Sequence, residues 1–230
     1  MNLIEIDKQW LLALNGSDSV FLDSIVKTLT TATTWIPLYV ALLYVVIKNS
    51  DTIRKVILIV ACALLCVFLA GSIDDMIIKP LVARWRPARD PQIGILVDIV
   101  NGYRGGRFGF FSAHASNTFS LAIFFTLLIR SRTLSVALIL WSLLNCWTRL
   151  YLGVHYPGDI LVGLLWGGTV GTLVWFLYTK LLPQPMTPAN YISSQFTKTG
   201  FQQQHADIIV TVLVLTVVYA LIKACWVVYL

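Results

Sequence analysis

The sequence predicts an all-α membrane protein, a polytopic helical bundle of about six transmembrane helices with an interfacial helix at its N-terminus. Of the 230 residues, 57% are apolar and only 12% are charged, whereas a soluble domain of this size carries about a quarter charged residues. The mean hydropathy is +0.78, and the apolar residues form long uninterrupted runs. These observations place the chain in a lipid bilayer.

Six apolar segments are near the length that crosses a hydrocarbon core, although the first and third are short. They cover residues 33–49, 54–78, 113–130, 132–150, 157–182 and 206–230. A further helix over 18–32 is only moderately apolar, and we expect it to enter the membrane partly. The sequence shows neither an internal repeat nor a second domain, so residues 1–230 are interpreted as one integral membrane domain.

The N-terminal segment, residues 1–17, differs from a secretory signal. It contains Glu5 and Asp7 and lacks a basic start followed by a continuous apolar stretch. Residues 3–14 instead predict a short amphipathic helix that lies at the membrane interface. Its apolar side is expected to carry Ile4, Trp10, Leu11 and Leu14.

Two polar segments interrupt the apolar pattern. Residues 79–112 form a long loop rich in Arg, Gly and Pro. Long loops of this kind tend to be functional, so this segment is the expected active-site loop. The second segment covers residues 183–205, and three prolines in it would stop the preceding helix: Pro183, Pro185 and Pro188.

The formal charge of +6 indicates an anionic partner, and in a bilayer protein phosphate or lipid headgroups are favoured over nucleic acid. Because spans alternate in direction, the long loop shares one membrane face with the junction of the fourth and fifth spans. The positive-inside rule assigns the short basic turns of the other face to the cytoplasm. Those turns carry Lys48, Arg54, Lys55, Arg130, Arg132 and Lys180. The loop face is also basic and the rule alone gives nearly a tie, so this assignment requires several of the cations on the loop face to serve chemistry.

Three segments on the loop face carry residues suited to binding phosphate. Lys79, Arg86 and Arg149 would be fixed cations at helix ends. Arginine offers a planar fork that matches phosphate oxygens, and lysine offers a point charge. Ser112 begins a helix, where its hydroxyl and the first free backbone N–H groups make a phosphate cradle.

Two of the three histidines lie on the same face. Asp159 follows His155 by four residues and falls in the first turn of a helix whose first position suits Pro157. Its carboxylate could accept from one nitrogen of His155 and leave the other free to attack phosphorus. His114 could protonate the departing oxygen. Such a set could transfer a phosphoryl group without a metal. His205 has no such neighbours and is interpreted as an exposed loop residue.

The same three segments resemble the motifs of the type 2 phosphatidic acid phosphatase (PAP2) superfamily. Residues 79–87 match the pattern Lys, six residues, Arg-Pro. Residues 111–114, Phe-Ser-Ala-His, resemble Pro-Ser-Gly-His. Residues 148–159 resemble Ser-Arg, five residues, His, three residues, Asp. The segments occur in the family's order, the six-span layout fits the chain, and the resemblance is closest to the short bacterial members.

The resemblance implies an active site that needs no metal and no cofactor. It implies that His155 is the nucleophile that becomes phosphorylated, that Asp159 orients it, and that His114 is the general acid. The groups implied to hold the phosphate are Lys79, Arg86, Ser112, Arg149 and the backbone N–H of Ala113. Phe111, Ala113 and Thr148 replace the family's Pro, Gly and Ser, and these departures remove no side chain with an implied role.

Neighbouring residues leave alternatives open. Asp75 lies four residues before the motif lysine and is expected to pair with it along the helix. Arg84 and Arg89 could contact a headgroup or anchor the chain at the interface. Arg104 and Arg107 lie in a stretch with four glycines. They could close over phosphate or bind a second polar part of a headgroup, or they could belong to a plain solvated loop.

The function predicted from the resemblance is hydrolysis of a lipid phosphate by a protein of the bacterial inner membrane, with its site facing the periplasm. Substrates of the short bacterial members include lipid A phosphates, undecaprenyl diphosphate, and phosphatidate or phosphatidylglycerol phosphate. The basic loop favours a large, multiply anionic headgroup such as lipid A. The sequence does not indicate an oligomeric state.

Two other classes of protein remain as alternatives. A non-catalytic lipid-phosphate transporter or flippase would use the same cations but has no need of the His155–Asp159 pair. A vanadium-dependent haloperoxidase shares the anion site, but such enzymes are soluble, and the six apolar spans disfavour one here.

Overall fold

The computed structural model describes residues 2–182 and 195–229, and the chain is mostly helical in these ranges. Its helices are α1 (Leu3–Leu14), α2 (Val20–Thr30), α3 (Ile36–Lys48), α4 (Ile53–Val82), α5 (Ala113–Ile129), α6 (Arg132–Tyr151), α7 (Pro157–Leu181) and α8 (Gln203–Tyr229). The predicted all-α class is confirmed. The helix stop expected from Pro183, Pro185 and Pro188 lies outside the described residues.

The predicted spans correspond in order to α3 through α8. Helices α4, α6, α7 and α8 are each long and apolar enough to cross a membrane. Helix α2 and the segment Ala32–Lys48, which contains α3, pass the same test together but are bent by 68°. Helix α5 is apolar but has only 17 residues. The chain is therefore an integral membrane protein, and the count of six spans is approximate.

One end of the bundle gathers the long loop and the helix ends beside it. Helices α4 and α6 finish there, and α5 and α7 begin there; we call it the loop end. The loop predicted over 79–112 begins at Ala83, because Lys79–Val82 continue helix α4. A single β-bridge between Trp85 and Phe108 ties the two halves of the loop together.

Helices α1 and α2 also lie at the loop end. Asp23 of α2 accepts a hydrogen bond from the Tyr151 hydroxyl at 2.7 Å, and Thr30 accepts one from Arg149 at 2.6 Å. Since both ends of α2 contact the end of α6, α2 runs along the loop end before the chain bends into α3. The partial entry of residues 18–32 into the membrane stays a prediction.

Helix α1 is amphipathic, as predicted, but Leu11 does not belong to its exposed apolar side. Leu11 is fully buried and packs in a cluster with Ala88, Ile93, Val97 and Tyr156. The loop folds over α1 and covers this position, which helical periodicity alone cannot indicate. The apolar residues of α1 that remain exposed are Leu3, Ile4, Trp10 and Leu14.

Helices α5 and α7 approach each other closely through a row of glycines on α7. A methyl group added to Gly163, Gly167 or Gly171 would come within 2.8, 2.4 or 2.5 Å of a backbone carbonyl oxygen on the α5 side. Glycines at four-residue intervals allow two helical backbones to touch inside a membrane. This contact fixes how the beginnings of α5 and α7 lie relative to each other at the loop end.

We predict that Gly167→Ala destabilises the protein, because its methyl group would collide with the backbone of α5. Such overpacking costs about 1–3 kcal/mol, and each kcal/mol lowers the Tm of a chain of this size by about 2–4 °C. Thermal unfolding of the detergent-purified variant measures the change. Gly168→Ala is the matched control, since its methyl group would meet only the Phe119 ring, at 3.2 Å. Equal Tm values for the two variants would contradict this account of the α5–α7 contact.

Candidate active site

The three motif segments meet at the loop end in a cluster of buried ionisable residues. Lys79, Arg86, Arg149, His155 and Asp159 are each at most 9% exposed. Ionisable side chains are rarely buried unless they are paired or functional. We call the first four of these residues the cation site. His114 is half-buried at the start of α5 and lies near enough to act electrostatically on His155.

His155 is positioned from both sides of its ring. Its Nε2 lies 3.1 Å from Nη1 of Arg86, and a guanidinium can only donate. Nε2 is therefore the acceptor, and the neutral ring carries its proton on Nδ1. That nitrogen faces Oδ2 of Asp159 at 3.6 Å, which is longer than a hydrogen bond. The expected His155–Asp159 contact is thus a close approach, and the expected hydrogen bond is not formed in this structure.

The electrostatic surroundings keep His155 neutral. Burial, followed by the charges of Arg86, Arg149 and Lys79, lowers its pKa well below the ordinary value. At neutral pH the lone pair on Nε2 is therefore available rather than protonated. A neutral imidazole of this kind can act as a nucleophile.

The carboxylate of Asp159 has two nearer partners than His155. Its Oδ2 accepts from the backbone N–H of Tyr156 at 3.0 Å, and its Oδ1 accepts from Nη1 of Arg84 at 2.7 Å. Burial alone would lower the pKa of Arg84, but Asp159 and Asp7 raise it above its ordinary value. Headgroup contact and interfacial anchoring stay predictions for Arg84, and the structure adds two ion pairs that were not predicted. Arg84 is a partly buried ion-pair partner, and its carboxylates come from distant segments of the chain.

Arg86 and Arg149 have no carboxylate partner among residues 2–182 and 195–229. Arg86 donates instead to the backbone oxygens of Phe108 and Val154, each at 3.1 Å. Burial and the charge of Arg149 lower the pKa of Arg86, so the two guanidinium groups repel each other. Buried charges without a counterion are costly. The cation site is therefore electrostatically prepared for an anion.

Arg149 is held by neutral groups. Its Nη1 donates to the Thr30 hydroxyl at 2.6 Å and its Nη2 to the Tyr103 hydroxyl at 3.2 Å. Neither partner was predicted, since Thr30 and Tyr103 are distant from the motif in sequence and carry no motif signal. These contacts orient the guanidinium without neutralising it.

Lys79 differs from the arginines because two carboxylates balance it. The expected ion pair with Asp75 is confirmed, and Asp74 lies 2.8 Å from the Lys79 ammonium. Asp74 is fully buried and also accepts from the backbone N–H of Phe111 at 3.1 Å. Asp74 was not predicted as a partner, because residues Asp74–Ile78 form a π-helical turn. That turn brings residues five apart close together, so Asp74 reaches Lys79 beside Asp75.

The beginning of α5 supplies backbone donors. Ser112 is fully buried, and its hydroxyl accepts from the backbone N–H of Ala115 at 3.4 Å. The hydroxyl thus caps the helix. The first N–H groups of a helix have no acceptor within it, so those of Ala113 and His114 are left to face an anion.

The glycine-rich part of the loop forms the rim of the site. Gly105 has a φ of +63° and lies so close to Arg86 that a methyl group there would be 3.1 Å from Nη1. Arg104 and Arg107 are exposed, and the Arg107 guanidinium lies 4.7 Å from the Trp85 ring centroid. The loop backbone at Gly105 and Arg107 therefore borders the cation site, and a role of Arg104 and Arg107 in binding stays a prediction.

His205 lies at the opposite end of the bundle, as its lack of motif neighbours suggested. The expectation of an exposed loop residue is wrong, however, because His205 is half-buried in the first turn of α8. Its Nδ1 lies 3.0 Å from the Asn49 amide nitrogen, and its ring packs against Tyr44. His205 is separate from the cation site.

We predict that His155 titrates below about pH 6.5, the ordinary midpoint for histidine, since burial and nearby cations disfavour its charged form. The ring nitrogen NMR signals of ¹⁵N-histidine-labelled protein in detergent measure this, and substitution assigns the three histidines. Arg86→Gln removes one of the cations and should raise the midpoint. Arg132→Gln, at the opposite end, is the control. A midpoint at or above 6.5 in the unsubstituted protein would refute the neutral state.

Comparison with known proteins gives concordant matches. Residues 54–183 match the model of the PAP2 superfamily. The chain is 44% identical over 180 residues to the lipid A 4'-phosphatase of Bacteroides thetaiotaomicron, covering 78% of this chain and 80% of that protein. It is 32% identical over 178 residues to the lipid A 4'-phosphatase of Porphyromonas gingivalis, covering 76% and 74%.

A shorter match reaches the decaprenylphosphoryl-5-phosphoribose phosphatase of Mycobacterium tuberculosis, with 37% identity over 107 residues, 46% of this chain and 54% of that protein. No solved structure gives a significant match. The region that matches the family model covers more than half of the chain and contains all three motif segments. The chain therefore belongs to the PAP2 superfamily.

Proposed function

We propose that this protein is a lipid A phosphatase that removes the 4'-phosphate through a phosphohistidine intermediate. The observation that carries the proposal is the geometry at His155. Its acceptor nitrogen, Nε2, lies inside a buried site whose two guanidinium groups have no carboxylate partner in the described part of the chain. A phosphate monoester supplies the missing negative charge and presents its phosphorus to that nitrogen. The two relatives named lipid A 4'-phosphatases support the choice of substrate.

In the first step, Arg86 moves its hydrogen bond from Nε2 of His155 to a phosphate oxygen. Nε2 then attacks phosphorus, and the bond from phosphorus to the sugar oxygen breaks. That oxygen departs with the electron pair of the broken bond and takes a proton from His114, whose charged form the bound phosphate dianion stabilises. The imidazole of His155 becomes positively charged as the new P–N bond forms. Asp159, 3.6 Å from Nδ1, is placed to stabilise this charge, and a shift of a few tenths of an ångström would complete the hydrogen bond.

In the second step, water attacks phosphorus on the phosphohistidine and the P–N bond breaks. His114, now neutral, accepts the proton of the water, and inorganic phosphate leaves. The electron pair of the P–N bond returns to Nε2, which restores the neutral imidazole. Each histidine thus ends in the protonation state in which it began.

The cations stabilise the charge that develops on the equatorial phosphate oxygens. Arg86 and Arg149 donate through planar forks, and Lys79 contributes a point charge fixed by its two carboxylates. The free backbone N–H groups at the start of α5 add further donors. In this proposal fixed protein charges do the work that metal ions do in other phosphoryl-transfer enzymes, and the reaction is metal-independent.

The residues at the rim of the site suit a substrate with a bulky anionic headgroup. Arg104 and Arg107 are exposed beside the cation site, so they are free to contact polar groups on the sugar or its second phosphate. We propose them as headgroup-binding residues. The relatives that act on lipid A match about three quarters of this chain, whereas the polyprenyl-linked relative matches less than half.

We further propose that the loop end faces the periplasm of a bacterial inner membrane. The short turns at the opposite end of the bundle carry the basic residues that the positive-inside rule places in the cytoplasm. The excess of cations at the loop end is explained by phosphate binding and does not compete with that assignment. The acyl chains of the substrate would stay in the bilayer while its phosphate enters at the loop end.

We predict that the purified protein releases phosphate from lipid A and that His155→Ala lowers the rate by about 10³-fold or more, as loss of a nucleophile does. Phosphate release in mixed micelles measures the rate, and mass spectrometry of the product shows which phosphate is lost. His205→Ala is the matched control, because His205 lies at the opposite end of the bundle, and its rate should equal that of the unsubstituted protein.

The outcomes separate the alternatives. Full activity in His155→Ala would end the phosphohistidine proposal. Hydrolysis of phosphatidate or undecaprenyl diphosphate with lipid A left intact would support the phosphatase activity and contradict lipid A as the substrate. Binding of lipid phosphates with no phosphate release would favour the transporter.

A further inference from the structure

The polar side of helix α1 reaches the first turn of α7. The carboxylate of Asp7 accepts from Nη2 of Arg84 at 2.5 Å through Oδ2 and from the backbone N–H of Gly158 at 2.7 Å through Oδ1. The Asp7 side chain is only 14% exposed. Asp7 itself lies outside the three motif segments, since it precedes the first of them by more than 70 residues. Its partners Arg84 and Gly158 occupy positions in those segments that the motif patterns leave unspecified.

These contacts form a continuous path from α1 to the proposed nucleophile. Arg84 bridges two carboxylates, Asp7 through Nη2 and Asp159 through Nη1. Asp159 in turn lies beside Nδ1 of His155. Asp7 does not contact His155 itself. It contacts Arg84 and the first turn of α7, which together hold Asp159.

Two further contacts keep α1 in this position. Leu11 packs with Tyr156, the residue that follows His155. The Tyr156 hydroxyl donates to Asp90 at 2.7 Å, and Asp90 also lies 3.9 Å from the ammonium of Lys8 on α1. The Arg84 guanidinium stacks over the Tyr156 ring at 4.1 Å. Helix α1 thus holds the His155–Asp159 segment through both polar and apolar contacts.

We infer that Asp7 is a positioning residue that acts through Arg84 and the first turn of α7 on Asp159, and so on the nucleophile. This inference rests on the proposed function, which assigns the nucleophile to His155. Without Asp7, Arg84 loses one of its two carboxylates and the Gly158 N–H loses its acceptor. Asp159 is then free to shift from Nδ1, and the imidazolium formed in the first step loses stabilisation. The phosphate-binding cations stay in place.

The expected result for Asp7→Asn is a fall in kcat of about 10- to 100-fold, the size typical of a small misplacement of reacting groups. KM should stay within about twofold, because the contacts to phosphate are unchanged. Asp7→Glu keeps the negative charge and should therefore retain part of the rate that Asp7→Asn loses. Glu5→Gln is the matched control and should retain full activity, since Glu5 lies on the same helix, is exposed and has no ion pair among the described residues.

A mutant cycle with Arg84→Gln tests the route. If Asp7 acts partly through Arg84, Asp7→Asn should lower kcat by a smaller factor in the Arg84→Gln background than in the unsubstituted protein, and the factor that remains is carried by the Gly158 N–H. Independent, multiplicative effects would overturn the inference, and so would an Asp7→Asn rate equal to that of Glu5→Gln. If Asp7→Asn does not fold, Gly158→Ala replaces it. Its methyl group would lie 2.9 Å from Oδ2 of Asp7 and should lower kcat by displacing that carboxylate; an unchanged kcat overturns the inference.

The same experiments distinguish failure of this inference from failure of the proposed function. Full activity in His155→Ala would remove the proposed nucleophile and the inference with it. If His155→Ala is inactive and Asp7→Asn is fully active, the assignment of His155 as the nucleophile stands and only the positioning role of Asp7 is contradicted.

Discussion

Arg86 and Arg149 place two positive charges in the buried loop end of the bundle, and neither has a carboxylate partner among the described residues. Carbonyl and hydroxyl oxygens orient them instead, from Phe108, Val154, Thr30 and Tyr103. Such an arrangement is unfavourable until an anion binds. Burial and these two charges, with that of Lys79, keep the imidazole of His155 neutral. One electrostatic constraint thus accounts for both the proposed binding of phosphate and the neutral state of the proposed nucleophile.

The charges of Arg86 and Arg149 stay uncompensated because the carboxylates at the loop end pair with other cations. Asp74 and Asp75 pair with Lys79, and Asp7 and Asp159 pair with Arg84. The acids at the loop end therefore fix helix ends and loop segments without neutralising the guanidinium groups of Arg86 and Arg149. The close α5–α7 contact sets the distance between the beginnings of the two helices, which carry His114 and Asp159.

Much of this architecture could be predicted from the sequence. The apolar runs indicated the spans, and the motif spacing indicated which side chains share the loop end. What could not be predicted depends on contacts between distant segments or on departures from helical period. Arg84 has its partners 77 and 75 residues away, Leu11 is covered by a loop, and Asp74 faces Lys79 only because the helix has a π turn. Local periodicity contains no signal for any of these.

The most direct test of the central claim is a structure of the protein with vanadate, which adopts the five-coordinate geometry of a phosphoryl group in transfer. The account predicts vanadium bonded to Nε2 of His155. Its equatorial oxygens should contact Lys79, Arg86 and Arg149, and its apical oxygen should face His114. Vanadate bound only at the exposed rim, with Nε2 of His155 still accepting from Arg86, would contradict the account.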